Sequence, residues 1–149
     1  MSYEIKIEHL NELREAFRKA PAKVGPELEK ATKEAGKHIL KTEKEEVPVK
    51  TAQLKRSITL DYKPISVSIY PAVKYALYVH EGTKPHAILP RTKKVLRWRS
   101  GKGWVFAKRV SHPGTKANKF VDRTVQKSES PVNSFFNKAL DNIIKFITG

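Results

Sequence analysis

An α+β domain is predicted: N-terminal helices and a C-terminal helix packed on an antiparallel sheet of about four strands. Two periodicities and their punctuation carry that prediction. Apolar residues recur every three or four positions in residues 7–45 and again in 131–147, whereas residues 57–70 and 96–107 alternate apolar with polar. Pro and Gly stand where one period gives way to the other. The 149 residues hold no internal repeat and suffice for one domain with its own core. The expected layout is a helical arm at 1–46, the sheet at 47–111, a loop at 112–130 and the C-terminal helix at 131–149.

Residues 2–7 read as a short edge strand, with Tyr3, Ile5 and Ile7 alternating with Glu4 and Lys6. Leu10, Leu13, Ala16 and Phe17 then set a helical spacing that Pro21 interrupts. A second helix is expected from Gly25-Pro26, since proline suits a first helical turn. Leu28, Ala31, Ala35, Ile39 and Thr42 lie along one stripe of it. That stripe is narrow and alanine-rich, so a neighbouring helix or subunit can approach closely. Residues 47–58 form a connector leading into strands. Ile58, Leu60 and Tyr62 make one half-buried strand, Lys63-Pro64 a turn, and Ile65, Val67 and Ile69 a second strand.

Residues 75–81 fit either period, but Gly82 followed by Pro85 favours a short helix stopped by glycine. Two tyrosines and three aliphatic residues there are expected to pack. A second hairpin follows. With a three-residue loop at Ser100-Gly101-Lys102, Leu96 and Trp98 share a face with Trp104 and Phe106, opposite Arg97 and Arg99. His112-Pro113-Gly114-Thr115 suits a type II turn, and residues 112–129, polar and weakly patterned, read as a mobile loop. Ser130-Pro131 looks like the cap and first turn of the last helix. Phe135, Phe136, Ala139, Leu140, Ile143, Ile144 and Ile147 form its apolar face.

Cysteine is absent, which removes disulfides and thiolate metal sites and suits a reducing cytoplasm. The N-terminus has neither a basic nor an apolar signal region, and no apolar run approaches the roughly 18 residues of a membrane span, so a soluble protein without membrane contact is expected. The net charge of +15 is unevenly placed. Residues 1–46 hold ten basic and ten acidic residues, whereas residues 84–127 hold thirteen basic residues and one acid, Asp122. Such a span calls for an anionic partner or serves as a solvated basic face.

Catalysis has little to build on. His80, His86, His112 and Glu81 match no familiar metal-ligand spacing. Glu81, flanked by His80 and Thr83, is the one carboxylate after Val47 in a plausible constellation, and no nucleophile elbow, phosphate-binding loop or HExxH motif is present. Neither enzyme activity, cofactor nor metal is expected. Arg97, Arg99, Lys102, Lys108 and Arg109 interleave with Trp98 and Trp104 and are the candidates for anionic contact. The expected alternation makes the tryptophans core residues rather than a stacking platform, leaving contact with a phosphate backbone open.

Three segments in order resemble a known family. Val47-Pro48-Val49 with Thr51-Ala52-Gln53-Leu54 to Ser57 is similar to its P-x-x-TG-x-L-x-x-S segment. Tyr75-Ala76-Leu77-Tyr78-Val79-His80-Glu81-Gly82-Thr83 resembles its YA…VE-x-GT signature. His112-Pro113-Gly114-Thr115 and Asn118-Lys119-Phe120 resemble its HPGT-x-x-x-PF segment. The family comprises tail components of long-tailed phages and prophages, of the HK type, described as tail-completion or head–tail joining (neck) proteins. The resemblance spans about residues 10–147. It implies a structural role for these motifs, assembly into a homo-oligomeric ring with other neck and tail proteins, a virion location at the head–tail junction, and a host cytoplasm during assembly. A second reading of the residues is non-specific nucleic-acid binding through 84–127. Ala52 stands where the family has glycine, so the turn there must avoid positive φ or bear strain. Lys119 replaces a common proline.

Overall fold

The computed structural model describes residues 10–50, 52–63 and 65–148; the edge strand expected at 2–7, Thr51 and Pro64 lie outside them. The elements run α1 (Leu10–Glu46), α2 (Gln53–Ser57), β1 (Ile58–Lys63), β2 (Ser66–Pro71), α3 (Ala76–Glu81), β3 (His86–Ile88), β4 (Leu96–Ser100), β5 (Gly103–Ala107), β6 (Val110–His112) and α4 (Phe120–Thr148). Helices with antiparallel strands make the chain α+β. In place of one sheet of about four strands, the described residues form three two-stranded ladders, β1–β2, β3–β6 and β4–β5. The chain divides into two compact units, Met1–Ala72 with Phe120–Gly149, and Val73–Lys119.

In the first unit α1 and α4 run antiparallel, as three contacts along their length show. Glu46 pairs with Arg123 at 2.7 Å, the His38 and Phe135 rings meet edge-on at 6.0 Å, and Asn142 donates to Glu27 at 2.9 Å. Small residues form the seam: Ala31, Thr32, Ala35 and Thr42 of α1 are buried, as are Thr124, Ser128 and Ala139 of α4. Buried threonines are tolerated there because each hydroxyl bonds its own helix. Thr32 donates to the Leu28 carbonyl, Thr42 to that of His38 and Thr124 to that of Phe120. Phe120, 1% exposed, anchors the start of α4.

Two helix boundaries differ from expectation. α1 continues through Pro21 and Pro26 as one helix of 37 residues. Both prolines are exposed, as are Phe17 and Ala22, whose carbonyls lose their helical donors, so the missing bonds fall among residues open to solvent. Likewise α4 begins at Phe120, eleven residues before Pro131, and residues 120–130 are helix rather than loop. Their buried stripe is Phe120, Thr124 and Ser128, spaced by four but mostly polar, which hides the helical period from an apolar count.

The β1–β2 hairpin packs on α1. Gly36 makes room for it: a methyl group there would lie 2.8 Å from a Val67 methyl and 3.1 Å from the Tyr62 ring. The Tyr62 hydroxyl donates to the Lys33 carbonyl, fastening β1 to the helix. Leu54 of α2 and Ile58 of β1 complete this core. Ahead of α2, Ala52 adopts φ 58°. The turn therefore accepts the left-handed conformation that the missing glycine would have taken without strain.

Candidate functional site

The second unit brings the two motif segments together. Thr83 and Thr115 exchange backbone hydrogen bonds, Thr83 N–H donating at 2.9 Å and Thr115 N–H at 3.1 Å. The Thr115 N–H also lies 3.0 Å from the Thr83 hydroxyl oxygen. Asn118 N–H donates to the Val79 carbonyl at 3.0 Å, and Lys119 binds the Glu81 carboxylate at 2.5 Å. That Lys119 hydrogen bond is the chief reason the Glu81 carboxyl lies below its ordinary value. The contact gives Lys119, where the family commonly has proline, a partner within the same unit.

Two glycines let the strands approach. Gly82 has φ 75° and ψ −176°, a region essentially reserved for glycine, and an added Cβ would lie 2.5 Å from the Thr115 carbonyl oxygen. Gly114 has φ 90°, and a Cβ there would collide with the Thr83 carbonyl. The Pro113-Gly114 turn thus has the positive φ expected of it. The His112 Nδ1 accepts the Gly114 N–H at 3.0 Å, which leaves the proton of the neutral ring on Nε2. His86 pairs with His112 across β3–β6, ring centroids 5.1 Å apart, and its Nδ1 lies 2.9 Å from the Lys84 carbonyl, to which it donates. Beside them is an open hollow of about 590 Å³ lined by Tyr78, Thr83, Lys84, His86, His112 and Thr115.

The clasp is held by hydrogen bonds more than by packing. Of the residues expected to pack, Ala76 is buried and Val79 half-buried, whereas Tyr75, Leu77 and Tyr78 are exposed. A helix of six residues has too little surface to bury both faces. His80 lies 3.3 Å from Glu81. Among the described residues no three His, Asp or Glu side chains stand together as metal ligands. Phe120 belongs to the other unit, where it is the first residue of α4.

The candidates for anionic contact sit on or beside β4–β5, and here the register overturns an expectation. Ser100 pairs with Gly103, leaving a two-residue loop, Gly101-Lys102. Arg97 therefore faces Phe106 and Arg99 faces Trp104, while Trp98 faces Val105. Shortening the loop by one residue moves the partner strand's side chains to the other face. Arginines and aromatics thus share one side, with the Arg97 guanidinium 4.4 Å from the Trp104 ring centroid. Neither tryptophan is a core residue: Trp98 is 40% exposed and Trp104 58%. Lys102 occupies the loop, Lys108 and Arg109 follow β5, and all three are exposed.

Residues 11–82, from α1 through the first half of the clasp, match the family model HK97-gp10-like, described as "Bacteriophage HK97-gp10, putative tail-component". Residues 11–82 belong to that family. The match includes the Val47-Pro48-Val49 segment and Tyr75 to Gly82, and stops short of His112-Pro113-Gly114-Thr115, so it covers less of the chain than the resemblance at 10–147. No curated protein and no solved structure matches the chain. The HK97-gp10-like match likens residues 11–82 to a phage tail component. Among the described residues no helix is long and apolar enough to cross a membrane.

Proposed function

We propose that this tail component acts as an assembly subunit rather than an enzyme, joining a homo-oligomeric ring at the head–tail connection or tail end of a phage or prophage. The family match over residues 11–82 carries the reading. The motif residues Tyr75 to Thr83 and His112 to Thr115 act as a structural clasp, since their hydrogen bonds are spent on one another. The subunit offers apolar surface for neighbouring tail proteins. Val121 and Val125, and further along Leu140 and Ile144, are exposed on α4 at spacings of four. Tyr75, Leu77 and Tyr78 are exposed on and before α3.

The deciding experiment is deletion of the gene from a phage or prophage that encodes it, followed by electron microscopy of the lysate. Separate filled heads and tails, rejoined when the purified chain is added, are expected. Normal, infectious particles without the protein would overturn the reading. Leu140→Glu with Ile144→Glu should leave the isolated chain folded and abolish that rescue.

A further inference from the structure

The β4–β5 ribbon has no third strand beside it among the described residues, so both its edges are unpaired. Its register gathers Arg97, Arg99, Trp104 and Phe106 on one side. Trp104 is 58% exposed and Phe106 60%. A two-stranded hairpin presenting such rings to water is only marginally stable alone, and covering them is favourable. The unit that carries it, Val73–Lys119, has twelve Lys and Arg against one acid, Glu81, a net charge of +11. That acid is bound to Lys119.

An occupant of this face must supply repeated negative charge for the arginines and flat rings for Trp104 and Phe106. An acidic peptide supplies the first without the second. Duplex DNA supplies phosphates but keeps its base faces stacked inside the helix. A single strand offers both, with phosphates along its backbone and bases free to stack. Arg97, its guanidinium carbon over the Trp104 ring, is already positioned for a phosphate or base edge at little further conformational cost. We propose that the Arg97–Arg99–Trp104–Phe106 face of the β4–β5 ribbon binds single-stranded nucleic acid, the arginines on phosphates and the rings on bases. Lys102, Lys108 and Arg109 extend its positive rim. This site stands on the ribbon's register and charge and does not depend on the ring-assembly reading.

The test uses the full chain, fluorescein-labelled mixed-sequence DNA strands of about 20 nucleotides, the matching duplex, and polyglutamate as competitor, in salt from about 50 to 200 mM. Trp98→Phe leaves Trp104 as the sole tryptophan, so quenching of its emission reports stacking at the site. The single strand is expected to bind more tightly than the duplex and to quench Trp104. Phe106→Ala, or Trp104→Ala where it folds, should weaken binding about tenfold. Arg97→Ala with Arg99→Ala should make the slope of log K against log salt shallower by about 1.4, two phosphates at about 0.7 each. Lys30→Ala with Lys37→Ala, an equal charge change on α1, should leave that slope unchanged. The proposal fails if the duplex binds as tightly without quenching, if polyglutamate displaces the strand at equal charge, or if the α1 pair matters as much as the arginines.

Discussion

Replacing Gly82 with alanine tests the clasp most severely. The backbone there, at φ 75° and ψ −176°, costs a residue with a Cβ about 1–3 kcal/mol before any contact is counted. The new methyl would also lie 2.5 Å from the Thr115 carbonyl oxygen and 2.7 Å from the Ala117 nitrogen. Both are backbone atoms and cannot turn aside as a side chain does. Relieving the clash requires Thr83 and Thr115 to part, which gives up two mutual backbone hydrogen bonds at about 1 kcal/mol each. The combined loss is about 3–5 kcal/mol. Hydrogen exchange followed by mass spectrometry reads this locally, at the amides of Thr83, Thr115 and Asn118. Their exchange should accelerate by about a hundredfold or more, since each 1.4 kcal/mol is tenfold. Peptides from α1 and α4 are the internal reference for opening of the other unit. Gly101→Ala, where nothing lies within 4 Å of an added Cβ, is the matched control and should change little. If Gly82→Ala exchanges no faster than Gly101→Ala, the clasp is not what holds these segments together.

Four other substitutions have definite signs. Ala52→Gly should stabilise the chain by about 0.5–1 kcal/mol in urea denaturation: relief of left-handed strain is about 1–2 kcal/mol, less the extra freedom glycine gives the unfolded chain. Ser128 is buried and its Oγ finds no hydrogen-bond partner among the described residues, so Ser128→Ala should raise the thermal midpoint, with a gain of about 1 kcal/mol. Glu46 accepts from Lys127 and Arg123, and these bonds hold its carboxyl below the ordinary 4.5. Its stabilising contribution is full above that value and is lost as pH falls through the depressed one, so Glu46→Gln should lower the urea midpoint at neutral pH and lose its effect in acid. Burial pushes the Glu43 carboxyl up instead. The folded state then holds its proton more tightly than the unfolded chain and is penalised as pH rises past the raised value. Glu43→Gln should raise the urea midpoint at neutral pH and not below pH 4.5.

Much of the fold was legible because its signals are local. The alanine–threonine stripe of α1, the alternation in β1 and β2, and the short helix before Gly82 each follow from residues within a few positions of one another. The glycines of the clasp were readable too, because turns impose their φ requirement on the residues that form them. Of the candidate nucleic-acid face the cations were readable, but not that Arg97 and Arg99 share a side with Trp104 and Phe106. Trp98 and Trp104 were assigned to a core because the loop length fixes which strand residues share a face, and Ser100 can either close the loop or pair with Gly103. The packing expected of Tyr75 and Tyr78 failed for a related reason: aromatic composition says nothing of how much surface a six-residue helix finds to bury.

The sequence by itself determined the α+β class, the positions of most elements, the segregation of positive charge and the family of residues 11–82. Each depends on residue identity and short spacing. The tertiary structure decided the run of α1 through two prolines, the start of α4 at Phe120, the β4–β5 register and the pairing of Thr83 with Thr115. Those outcomes depend on atoms far apart in the chain. α1 runs through two prolines that lie among exposed residues, α4 begins on a buried, mostly polar stripe, and a hydrogen bond across 32 residues is invisible to any local pattern.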